Sequence, residues 1–172
     1  RMKKAVLISA ALASLLSAPA SAIVGGGAPQ TGGVARSVVT IVGSRGNFCT
    51  GALIAPKVVL TAAHCVQPGA DYKIVEYGAD RQPSLQDVKT VAIHPGFNMQ
   101  AMQGHRATAD VALLQLTAPA KGKTPAVLGM PKIPIVVGSR FTIAGIGVTA
   151  RGDGKSGGTI RVAALVTTGK PG

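Results

Sequence analysis

Thr61-Ala62-Ala63-His64-Cys65 sets a histidine among small side chains and ties it, through the next residue, to one of only two cysteines in the chain. Working outward, Val58 to Thr61 (VVLT) leads into the histidine, and Thr50 to Ile54 (TGALI) precedes it directly after Cys49. Both are short, apolar, β-branched runs, separated by Ala55-Pro56-Lys57, a turn signal. The same grammar continues on either side: Ser37 to Val42 (SVVTIV), Lys73 to Tyr77 (KIVEY), Val88 to His94 (VKTVAIH) and Val111 to Leu116 (VALLQL) read as strands. Thr61 to Val66 has room for one short helical turn, and no Gly/Pro-free amphipathic stretch predicts a sizeable helix. The reading is all-β.

Composition agrees. The 172 residues are 47% apolar and 14% charged, so the chain buries a core, and 23 glycines with no tryptophan suit many tight turns. Thr117 to Pro131 is rich in Ala, Pro, Lys and Gly and resembles a connector. Beyond it, Ile133 to Val137, Arg140 to Ile146 and Thr159 to Thr167 are further strand candidates, with Gly152 to Gly158 (GDGKSGG) turning a hairpin. Three strands alone leave an open edge and half a core, which points to an incomplete second unit.

Met2-Lys3-Lys4, the apolar run Ala5 to Leu16 and the small residues Ala20 and Ala22 form a secretory leader with its cleavage site before Ile23. The apolar run is about 12 residues, too short to span a bilayer of roughly 30 Å, so no membrane anchor is expected after cleavage. Export places Cys49 and Cys65 in an oxidising compartment, extracellular or periplasmic, where an even count sixteen positions apart reads as one disulfide. A metal site built from Cys49, His64 and Cys65 is disfavoured, because adjacent residues share a tetrahedral centre poorly. No cofactor and no metal are expected, and a calcium loop has only Glu76, Asp80 and Asp87 to draw on.

The formal charge is +12, and removal of a leader carrying three of the 18 basic residues leaves +9. Such a surface attracts anionic partners. The basic residues are scattered, however, and none is interleaved with aromatics for base stacking, so nucleic acid is not expected as a partner.

Hydrolysis of an amide by a hydroxyl needs a nucleophile, a base to take its proton and a carboxylate to orient that base. His64, fixed beside a disulfide, suits the base. Asp110 in Thr108-Ala109-Asp110-Val111-Ala112-Leu113-Leu114 leads into an apolar strand, where a carboxylate needs a partner or costs several kcal/mol.

Ile23-Val24-Gly25-Gly26, Thr61-Ala62-Ala63-His64-Cys65 and Asp110-Val111-Ala112-Leu113-Leu114 together resemble, in order, the motifs of trypsin-like (chymotrypsin-fold) serine proteases. Cys49 before Thr50-Gly51-Ala52-Leu53-Ile54, His94-Pro95-Gly96-Phe97-Asn98 and Ala144-Gly145-Ile146-Gly147-Val148-Thr149 are similar to further family segments, with Ile146 in place of the usual Trp. The resemblance runs from Ile23 to about Thr168. It implies a chymotrypsin-like double β-barrel with the first barrel complete and the second truncated. The expected division is a signal peptide at 1–22, a first barrel at 23–116, a connector at 117–131 and the start of a second barrel at 132–172. It also implies that His64 is general base and then general acid, that Asp110 orients it, and that Ile23 supplies the mature N-terminus whose amine pairs with a carboxylate beside the nucleophile.

The family's nucleophile lies in a Gly-Asp-Ser-Gly-Gly motif further along than Gly172. Ser156 imitates it, but two residues separate it from Asp153, and it comes only 46 positions after Asp110, inside the expected hairpin. It is read as a turn residue. The expectation is therefore a secreted, monomeric endopeptidase acting on polypeptide substrates, represented by an N-terminal portion that is inactive alone. The alternative is a catalytically inactive homologue that serves as a secreted binding protein.

Overall fold

Alternation of apolar and polar residues along Ala112–Leu116 buries Ala112, Leu114 and Leu116 and leaves Leu113 and Gln115 outside, the two-residue period of a strand with one face on a core. The computed structural model describes residues 27–77, 82–130, 132–150, 152–153 and 155–169. The leader and Ile23 lie outside them. In chain order the strands are β1 (Ala28–Pro29), β2 (Val38–Gly43), β3 (Phe48–Ala55), β4 (Val58–Thr61), β5 (Tyr72–Tyr77), β6 (Pro83–Ile93), β7 (Ala112–Leu116), β8 (Arg140–Gly145) and β9 (Arg161–Val166). A single α-helix, α1 (Met99–Gln103), and two 3-10 turns, Gly33–Ser37 and Ala63–Cys65, complete the set among the described residues.

Six strands close into an antiparallel barrel in the order β2-β3-β4-β7-β6-β5, with β5 returning to β2. Its interior is filled by Val39, Ile41, Leu53, Val59, Ile74, Leu114 and Leu116, all almost completely buried. β2 is buried on both faces, from Val38 through Ile41, which explains its unbroken apolar run. Gly51 on β3 is required by this packing. A Cβ there would lie 2.5 Å from Val59 Cγ1, 2.9 Å from Ile41 Cδ1 and 3.1 Å from Val39 Cγ2. Gly51→Ala is therefore expected to lower unfolding stability by about 1–3 kcal/mol through overpacking, measurable as a reduced urea midpoint. An unchanged midpoint would mean that the three neighbours yield freely.

The remaining strands form an open antiparallel sheet in the order β1-β9-β8. The fold is thus nearly all-β and chymotrypsin-like, with one closed barrel and a three-stranded second sheet. The connector is strapped across the barrel by Ala120 N to Pro56 O (2.9 Å), Thr124 N to Arg36 O (3.1 Å) and Ala126 N to Leu53 O (2.8 Å). The two units meet at Ile146, which is buried and donates its amide to Thr50 Oγ1 at 3.1 Å.

Two expectations are corrected. Ile133 to Val137 is not a strand: Pro134 offers no backbone donor, and the chain turns at Gly138 (φ 87°), where Ser139 N bonds Val136 O at 3.0 Å. The strand expected from Val88 begins earlier, at Pro83, where it pairs with the end of β5. The region between β6 and β7 also holds α1, whose five residues are too few to show an amphipathic period. No described helix is long and apolar enough to cross a membrane.

Candidate active site

Ala112 on β7 pairs with Thr61 on one side and with Ile93 on the other, so three strands reach their ends at one rim of the barrel. In an antiparallel ladder the chain leaving β4 and the chain entering β7 emerge together. His64 follows Thr61 and Asp110 precedes Ala112, and this register alone brings together two residues 46 positions apart.

The contact is two-pronged. Asp110 Oδ2 accepts from His64 Nδ1 at 2.7 Å, and Asp110 Oδ1 accepts from the His64 backbone N–H at 2.9 Å. The amide donor is free because His64 sits in the opening turn of the Ala63–Cys65 3-10 helix, where N–H groups have no intrahelical partner. Partial burial pushes the Asp110 carboxyl upward. The His64 amide and ring hydrogen bonds, the His64 charge and the Ala63 amide outweigh it, and hold the carboxyl below its ordinary value. The side chain of His64 is 43% exposed and that of Asp110 28%, so the base faces solvent while its partner is sheltered.

The depressed Asp110 value has a signed consequence for stability. The unfolded carboxyl titrates near pH 4, so the stabilising contribution is complete above that pH and is lost as pH falls through the lower folded value. Urea unfolding of the chain and of Asp110→Asn should therefore show a stability gap at pH 6 that narrows below about pH 4. A gap independent of pH would contradict this.

Both residues are held in place by their surroundings. Cys49 and Cys65 form the expected disulfide, with Cα atoms 6.1 Å apart. Asn47 Nδ2 donates to Cys65 O at 3.3 Å, and Gln67 Nε2 donates to Ala63 O, so the histidine's turn is tied at three points. On the Asp110 side, two consecutive i to i+2 bonds, Asp110 N to Thr108 O (3.0 Å) and Val111 N to Ala109 O (2.8 Å), fold the backbone tightly around the carboxylate. Thr108 Oγ1 accepts from Asn98 N at 2.7 Å and donates to Gly96 O at 3.1 Å, while Asn98 Oδ1 caps α1 at Ala101 N. Sequence reasoning missed the His64 amide, Asn98 and Thr108 as positioning groups. Asn98 before Met99-Gln100-Ala101-Met102-Gln103, a short run of good helix formers, is an N-cap signal, and Thr108 two residues before Asp110 carries none that is comparably local.

Ser156 lies in the β8–β9 connection. Its Oγ accepts from Thr149 N at 2.9 Å and donates to Asp153. That Ser156 bond, with the Lys155 amide 2.8 Å from Asp153 Oδ1, holds the Asp153 carboxyl below its ordinary value. The hydroxyl is thus occupied in building its own turn. Of the acidic calcium candidates, Glu76 is buried and accepts from Lys121 N at 2.6 Å, Asp87 pairs with Lys73, and Asp80 is outside the described residues.

A histidine held by a carboxylate at Nδ1 can accept a proton at Nε2 and return it, the work of a general acid–base pair. Residues 23–169 match the family model described as Trypsin. The chain is 32% identical to trypsin of Phaedon cochleariae over 70% of this chain and 48% of that protein. It is 33% identical to granzyme M of Rattus norvegicus over 65% and 45% of the two chains, and 42% identical to coagulation factor XII of Cavia porcellus over 44% and 13%. Among solved structures, that of GrC superposes with a TM-score of 0.64 at 24% identity, covering 83% of this chain and 65% of the other. The structure of HBP does so with the same score at 23% identity, a likeness of fold. The chain spans about half the length, or less, of these curated relatives.

Proposed function

Since the chain belongs to the trypsin family, we propose that it carries the base and the orienting carboxylate of a secreted serine endopeptidase whose nucleophilic serine lies beyond Gly172. The observation that supports this most is the two-pronged bond between Asp110 and His64. With Oδ2 accepting the Nδ1 proton, the lone pair of the neutral imidazole is at Nε2, on the side of the ring away from Asp110. There it takes the serine proton as the hydroxyl attacks the peptide carbonyl. The imidazolium so formed is stabilised by Asp110 and then protonates the departing amine. Water repeats the cycle on the acyl-enzyme.

In this reading the 172-residue chain alone has base and orienter but no nucleophile and does not cleave peptides. The test is hydrolysis of a denatured polypeptide by the chain extended through its reading frame, with the products identified by mass spectrometry. Cleavage by the extended chain and none by residues 1–172 is expected. No cleavage by either would favour the inactive, partner-binding homologue.

Ile23 completes the reading. Removal of the leader after Ala22 frees its amine with no separate activation step, and the amine then pairs with a carboxylate near the nucleophile. N-terminal sequencing of the exported protein should return Ile23 first, and any other residue there would refute direct maturation by signal peptidase.

A further inference from the structure

His94 takes no part in the chemistry described above, yet its ring is bonded into the connection between β6 and β7 that carries Asp110. His94 Nδ1 accepts from the Gly96 backbone N–H at 3.0 Å. The turn is closed by Phe97 N donating to His94 O at 2.9 Å, and tied to the start of β7 by His94 N donating to Val111 O at 2.9 Å. So held, Gly96 O faces the returning limb, where it accepts from Thr108 Oγ1 at 3.1 Å and from Ala109 N at 3.4 Å. Thr108 Oγ1 also accepts from Asn98 N at 2.7 Å, and Thr108 O accepts from Asp110 N at 3.0 Å. The fit has little slack: a Cβ on Gly96 would lie 3.2 Å from His94 Nδ1 and 3.4 Å from Ala109 Cβ.

An imidazole accepts at Nδ1 only when it is neutral, with its proton on Nε2. Once the ring gains a second proton, an N–H at Nδ1 meets the N–H of Gly96, and no rotation of the ring restores an acceptor. The ring is exposed, so solvent protons reach it. It shares a cleft with Ala92, Ile93, Pro95, Val111, Ala112 and Leu113, none of them charged. The titratable or charged groups on the adjoining segments are Asp87 and Lys89 on β6, His105 and Arg106 after α1, and Asp110 with His64 beyond it. Among the described residues, no hydrogen bond or ion pair joins any of these side chains to the His94 ring.

We propose that neutral His94 is a positioning residue for Asp110, and that its protonation opens the His94–Phe97 turn and loosens the grip of Thr108 and Ala109 on the segment bearing the carboxylate. The orienting carboxylate then loses its footing in acid through a group bonded to neither Asp110 nor His64. The catalytic consequence rests on the functional reading above, whereas the opening of the turn rests on the hydrogen bonds alone.

Two measurements test this. In residues 1–172, amide hydrogen exchange is followed by NMR between about pH 5 and 8, where histidines titrate, and corrected for the intrinsic pH dependence of exchange. Protection of Gly96, Asn98 and Ala109 should be full while His94 is neutral and fall about fivefold as its ring signals titrate, the worth of one hydrogen bond. His94→Asn offers a carboxamide oxygen to the amide two residues on and does not titrate, so its protection should stay high throughout. His94→Ala should be unprotected throughout. Protection of Asn98 and Ala109 that is independent of pH, or that falls equally in His94→Asn, would overturn the proposal. In the chain extended through its reading frame, the acid limb of log kcat/KM against pH should reach a slope of about two, one proton for His64 and one for His94, and about one in His94→Asn. Equal slopes would overturn the coupling to Asp110. Switching protection with no cleavage by the extended chain would refute the proposed function and leave the switch standing; cleavage with protection constant in pH would do the reverse.

Discussion

Asp110→Asn should lower kcat for peptide hydrolysis by about 10⁴ in the chain extended through its nucleophile, with little change in KM. That magnitude is the one established for the corresponding change in this family. The cause can be read from the geometry here. Asp110 presents one oxygen to the His64 amide and the other to Nδ1. An asparagine can keep only one of these bonds unaltered. With its carbonyl oxygen on the backbone N–H, its NH2 faces Nδ1, which must then accept. The ring proton moves to Nε2, where the base needs a lone pair. At pH values that deprotonate the hydroxyl without help, the deficit should shrink. A loss below tenfold at neutral pH would show that Asp110 does not govern the tautomer.

Replacing both Cys49 and Cys65 by alanine is expected to lower unfolding stability by about 3 kcal/mol. A loop of this length loses that much closure entropy when it is cross-linked in the unfolded chain. The bridged residues are sixteen positions apart, and the bridge joins β3 to the turn that carries His64. Neither β3 nor the turn depends on the bridge alone. β3 is paired with β2 and β4, and Asn47 and Gln67 bond the turn independently. The variant should therefore fold, with a lower urea midpoint, a somewhat steeper slope because the unfolded chain is no longer cross-linked, and a looser His64. A loss under 1 kcal/mol would place the bridge's value elsewhere than in stability.

The barrel was legible because its strands carry strong local signals. Val38 to Ile41, Val58 to Thr61 and Ala112 to Leu116 are apolar, β-branched or alternating, and are bounded by turn residues. What escaped is what depends on distant partners. β1 is two residues long and exists only because Ala28 and Pro29 meet Val162 and Arg161 on β9. Ile133 to Val137 has strand composition but no ladder partner, and the five residues of α1 are too few to give a period to read. In the candidate site, His64 and Asp110 were recognisable as residue types in motifs. The use of the His64 backbone amide was not, since a main-chain donor leaves no mark on the sequence.

In the function proposed above, His64 and Asp110 await a serine beyond Gly172. Its most direct test is reaction of a fluorophosphonate with residues 1–172 and with the chain extended through its reading frame. A single labelled serine beyond Gly172 is expected in the extended chain, with loss of that label in His64→Ala and no label on residues 1–172. Labelling of Ser156, or no labelled serine in the extended chain, would contradict it.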